Sequence, residues 1–255
     1  MNEPETSTLI EPPQSRPSFG SQLTDTITAP ADLFTELRPL PASAGTGFAV
    51  VCLVVVLAIL GNLTLFVSKG AMEDVFRRQQ KALEQSVEQG KMTAAQASRG
   101  MEQMRGMSPI IFVGIGAVAA TIFTLVGSVF WALVVFLAGK FLGGQPVTFA
   151  KAYEITGLAF VVLFLGGLVS AALILLRDSL STPSGALFVE DFDPGNKVHI
   201  LLQALNPFSI WFVAVLAIGL ACSSSVPLRK ALIAFFGFWV VTRVIAIYSG
   251  LGWLA

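Results

Sequence analysis

Residues 141–157 read FLGGQPVTFAKAYEITG and lie between two long apolar blocks. Gly143-Gly144, Pro146, Lys151, Tyr153 and Glu154 therefore stand together in a chain that is otherwise close to pure hydrocarbon here. Two readings are open. The stretch is either a working polar site or the turn by which a chain leaves a membrane and re-enters it. Upstream, no charged residue occurs from Ile110 to Gly139, a run of about 45 Å as a helix and longer than one hydrocarbon core. Downstream, residues 155–176 are again uncharged.

Composition extends this reading to the whole chain. Of 255 residues, 54% are hydrophobic and only 13% charged, against roughly 25% charged in a soluble domain. Sixteen basic and sixteen acidic residues cancel. The cation excess that nucleic-acid binding uses is absent. Cys52 and Cys222 both lie in apolar runs, where isolated thiols act as small hydrophobes and imply neither a disulfide framework nor a metal site. The expected class is an all-α integral membrane bundle of about five spans, in contact with the lipid bilayer.

The spans are expected at about 47–67, 110–139, 152–176, 206–224 and 228–250. Pro109 after Ser108 suits the start of the second. The fourth has two readings. Either Pro207 kinks one long helix, or a short interfacial helix leads into a span that begins near it. Residues 1–45 hold seven prolines and six acids, a composition that buries too little apolar area to offset chain entropy. They are expected to form a disordered tail, with LFTELRPL (33–40) lying on headgroups. The first loop is different. Met72, Val75, Phe76, Leu83 and Val87 recur at helical spacing among charged residues. Gly90 reads as a stop, and Thr93 with Gln96 as a capping box. An amphipathic helical hairpin is expected over 70–107, resting on the membrane or offering a surface to a protein partner.

Small residues let helix backbones approach in lipid. The stripe Gly116, Ala120, Thr124, Ser128, Ala132 predicts close packing by the second span, and the 166–171 region and Ala217 and Ala221 do the same for the third and fourth. The charged candidates are few. Thr148 can cap the third span, and Lys151 and Glu154, three apart, can meet on one face. Arg243 lies near mid-membrane, where an arginine costs at least about 2.5–3.5 kcal/mol. It is expected to face the bundle or to reach Asp178 at the far side. Glu190 to Lys197, EDFDPGNK, misses the oxygen spacing of a calcium loop and reads as a turn. His199 is the lone histidine. No zinc-protease, nucleophile-elbow or phosphate-loop motif accompanies it, so neither catalysis nor a cofactor is indicated.

Gly143-Gly144 followed by Phe149, Ala152 and Tyr153, the entry Asn206-Pro207-Phe208-Ser209-Ile210-Trp211, then Ile218-Gly219-Leu220, then Arg229-Lys230-Ala231 resemble the bacterial branch of the Yip (Ypt/Rab-interacting protein) domain membrane proteins. The likeness is clear over roughly 105–255 and diffuse in kind. It implies five spans, a cytosolic N-terminus in the cell membrane, and a role in membrane organisation or trafficking, without any transferable binding residue. With the intramembrane Arg243 set aside, basic residues number six on the side that this topology makes cytosolic and nine on the other, opposite to the positive-inside rule. The charged residues of the short second and fourth loops are lysine and arginine alone, while the third loop has four acids, and this favours that topology. Two functions are weighed: a non-enzymatic scaffold or organiser, and a small transporter or channel component with a polar path through Arg243, Glu154 and Asn62. Homo-oligomerisation stays open.

Overall fold

The computed structural model describes residues 15–190 and 192–248; the first fourteen residues of the expected tail, and the end of the fifth span with Trp253, lie outside them. Every regular element among the described residues is helical. In chain order they are α1 (Phe19–Thr28), α2 (Pro30–Leu37), α3 (Ala44–Val67), α4 (Lys69–Glu88), α5 (Ala94–Gly106), α6 (Pro109–Phe141), α7 (Phe149–Arg177), α8 (Lys197–Ala204), α9 (Pro207–Ser224) and α10 (Leu228–Tyr248), with a single 3-10 turn at Gly185–Phe188. Helices α3, α6, α7, α9 and α10 are each long and apolar enough to cross a membrane.

Charge and proline mark the ends of the spans. Pro109 occupies the first turn of α6, where its missing N–H has no partner to lose. Thr148 Oγ1 caps α7 by accepting from the Lys151 N–H at 3.2 Å. For the fourth span the structure has the two-helix arrangement. Helix α8 stops at Ala204, and Asn206 caps a new helix with Pro207 at its first turn.

The expected disorder of the whole 1–45 segment is corrected by α1 and α2. Ser18 caps α1 through the Ser21 N–H at 3.2 Å, and Pro30 opens α2. Leu33, Phe34 and Leu37 share one face and are 2%, 1% and 1% exposed. Burial of each contributes about 1.5–3 kcal/mol. Segment-wide composition hides this amphipathic octet, PADLFTEL, whose apolar face lies against α9. The Phe34 ring is so close that a Cβ on Gly219 would stand 3.1 Å from its Cε2.

Helix α7 is the hub, packing against α3, α6, α9 and α1. Its tightest crossing is with α3. A Cβ on Gly157 would fall 2.2 Å from the Gly47 Cα, and one on Gly47 would fall 2.7 Å from the Tyr153 carbonyl oxygen. Only paired glycines permit that approach. The expected stripe on α6 does turn inward: Ser128 and Ala132 are buried and Gly116, Ala120 and Thr124 half-buried. Mid-bundle, aromatic rings bridge four spans. Phe160 meets Phe212 edge-on at 5.4 Å, Phe212 meets Trp131 at 5.4 Å, and Trp131 meets Phe238 at 5.8 Å. Each such pair is worth about 0.5–1.5 kcal/mol beyond burial.

The loops divide between the two ends of the bundle. At one end, here called the arm end, Arg38 at the end of α2 meets the 142–148 and 225–227 turns. Arg38 donates to Gln145 Oε1 at 3.2 Å and to Ser225 Oγ at 2.6 Å, and the Gln145 N–H donates to the Ser224 carbonyl at 2.6 Å. At the other, the hairpin end, α4 and α5 pack on each other and α4 reaches the 178–193 segment.

Candidate functional site

Lys151 and Glu154 come together as their spacing requires. One turn into α7, Lys151 Nζ stands 2.9 Å from Glu154 Oε2, and Glu154 is wholly buried. A lone carboxylate at that depth would cost several kcal/mol, and two cations offset it. The second is Arg16, whose guanidinium donates to Glu154 Oε1 and also to the Pro41 carbonyl. Lys151 Nζ in turn donates to the Leu37 carbonyl at 2.6 Å. Two cations, one carboxylate and two arm carbonyls thus clamp the N-terminal segment onto α7. Arg16 lies 138 residues from Glu154, so no local spacing could have revealed the pair.

Asp178 sits apart from this cluster, at the hairpin end. It ends α7 in the left-handed conformation at φ 46°, and its Oδ1 accepts from Ser68 Oγ at 2.7 Å and from the Gly70 N–H at 3.1 Å. Its negative charge thereby faces the first turn of α4, where helix N–H groups and the dipole favour it. Arg243 lies on α10 over the Trp239 ring, 5.7 Å from its centroid. Asn62 bonds within its own helix, donating to the Ala58 carbonyl at 2.8 Å.

The hairpin forms as its periodicity requires. Gly90 takes a φ of 67°, and Thr93 and Gln96 cap α5 reciprocally. Helix α4 docks through polar links: Asp74 Oδ2 accepts from the Leu180 N–H at 2.9 Å, and Arg78 donates to the Leu180 carbonyl at 2.9 Å. Arg78 also stacks over Phe192 at 4.5 Å. Burial lowers the Arg78 pKa; Asp74 opposes that and the neighbouring Arg77 adds to it. These groups border a cavity of about 350 Å³ with Arg177, Phe188 and the 179–182 run on its walls. Arg77 and Arg78 stand among the charged residues of the amphipathic pattern and Arg177 closes the uncharged run of the third span; their convergence arises only when α4 docks on the segment that follows α7. Residues 193–196 turn as expected, with Asp193 Oδ1 accepting from the Gly195 N–H at 2.9 Å; residue 191 lies outside the described residues. Among the described residues no group of three or more His, Cys, Asp or Glu is placed to hold a metal ion.

Comparison with curated protein sequences and with solved structures finds no match. The family model of the Yip1 domain matches residues 24–250, which takes in α2, all five spans, the hairpin and half of α1. The chain therefore belongs to the Yip1 domain family of multi-pass membrane proteins.

Proposed function

We propose that the protein is a non-enzymatic scaffold or organiser of the cell membrane, with its N-terminal arm on the cytosolic side and the α4–α5 hairpin offered to a protein partner. The observation that carries this reading is that the three candidate groups of a polar path, Glu154, Asn62 and Arg243, are each engaged locally on their own helices. Glu154 is matched by Lys151 and Arg16, Asn62 by its own helix, and Arg243 lies on Trp239. A transport path would need these groups to face one cavity. Instead they sit on separate helices, with the Phe160–Phe212–Trp131–Phe238 rings packed across four spans. The hairpin supports the partner role, since Ala71 is the one buried residue of α4 and none of α5 is buried.

Replacing residues 70–107 with a short Gly/Ser linker tests the scaffold. Proteins cross-linked to the intact chain in its own membrane should be lost from the shortened one, and the reading fails if all of them are retained. Arg243→Leu tests the transport alternative. The bundle should keep or gain thermal stability, because removing a mid-span arginine lifts a cost of at least about 2.5–3.5 kcal/mol. Solute flux into vesicles containing the purified chain, abolished by this change, would favour transport instead.

A further inference from the structure

The cavity at the hairpin end gathers three guanidinium groups where the third span meets the hairpin. Arg77 and Arg78 come from α4, and Arg177 from the last turn of α7. Among the described residues two carboxylates also border it, one fewer than the guanidinium groups. Asp74 pairs with Arg77 at 2.7 Å and accepts from the Leu180 N–H at 2.9 Å. Glu190 lies exposed. Arg78 is half-buried, with the like charge of Arg77 beside it, a pairing that an incoming anion would relieve.

The remaining walls suit an oxyanion. Ser179, Ser181 and Thr182 contribute hydroxyls. Ser179 and Ser181 share a single contact at 2.9 Å and Thr182 shares one with Ser184 at 3.1 Å. A hydroxyl pair holds two hydrogens and uses one in such a contact. Position adds a second constraint. Leu175 and Leu176, just before Arg177, are 53% and 83% exposed, and Phe188 on the cavity wall is 91% exposed. Large apolar side chains turned outward at the end of a span belong at the hydrocarbon boundary, with the arginines at headgroup level.

We propose that this cavity binds an anionic phosphate group, with Arg77, Arg78 and Arg177 as its cationic ligands and the 179–182 hydroxyls as further donors. A phospholipid headgroup with net negative charge and free inorganic phosphate share this chemistry.

The test uses the purified full-length chain in neutral detergent, with retained lipid counted by native mass spectrometry. Micelles are doped with phosphatidylglycerol or with phosphatidylcholine, and inorganic phosphate is titrated separately against the melting temperature. Arg177 is exposed, so Arg177→Gln leaves the buried contacts intact, and Arg99→Gln on α5 is the control outside the cavity. The expected result is retention of phosphatidylglycerol over phosphatidylcholine, weakened about tenfold by R177Q and unchanged in R99Q. If inorganic phosphate alone raises the melting temperature and R177Q removes the rise, the site holds and free phosphate is a source. If phosphate has no effect while phosphatidylglycerol is retained, the source is the headgroup. Equal retention of both lipids with no response to phosphate, or equal weakening by R177Q and R99Q, overturns the proposal.

Discussion

At the arm end Glu154 is fully buried beneath Lys151 and Arg16, whereas at the hairpin end Arg177 and Glu190 stand exposed around a cavity. Arginine and glutamate serve both ends. What differs is how much water each charge has surrendered. The arm end had to balance its ions within the fold, because an unmatched buried charge costs several kcal/mol. The hairpin end is stitched by side chain to backbone links such as Asp74 to Leu180 and Asp178 to Gly70. Three guanidinium groups line the cavity between those links. One end is a clasp and the other a receptacle.

The largest effect should come from the crossing beneath the clasp. Gly157→Leu puts a side chain where even a Cβ would stand 2.2 Å from Gly47. It is expected to cost more than about 4 kcal/mol, read as loss of the monodisperse species on size exclusion in detergent. Glu154→Ala should follow, at about 3–5 kcal/mol, since it strands two cations beside buried backbone. Thermal unfolding should report that loss, and limited proteolysis should show cuts at 15–40 that the parent resists. Ser68→Ala at the hairpin end removes a cap and one partner of Asp178, for about 1 kcal/mol. Equal losses from S68A and E154A would erase the contrast between the ends. Arg99→Gln, on a helix with no buried residue, should stay within about 0.5 kcal/mol of the parent.

Much of this was legible from residues alone, for identifiable reasons. Uninterrupted apolar runs bounded by Pro109, Lys140, Thr148 and Arg177 mark spans, because lipid tolerates no unsatisfied backbone. Gly90 and the Thr93–Gln96 box mark the hairpin because capping is local chemistry. The arm was missed: its prolines and acids were averaged over the whole segment, while the signal lay in Leu33, Phe34 and Leu37 alone. The central partnership of α3 with α7 was missed too. It rests on one glycine from each helix, and the longer stripe on α6 drew the attention. Of the site, the Lys151–Glu154 pair could be read from a three-residue spacing. Arg16 and the arginine-lined cavity could not, since long-range packing alone creates them.

Sided labelling tests the two-ended architecture most directly. With Cys52 and Cys222 replaced, single cysteines at Glu36, Gln145 or Ser225 report the arm end, and at Lys91 or Asn196 the hairpin end. A membrane-impermeant maleimide applied to sealed vesicles should modify one set and spare the other, whichever way the chain is oriented. Modification of Glu36→Cys and Lys91→Cys from the same side would contradict five crossings.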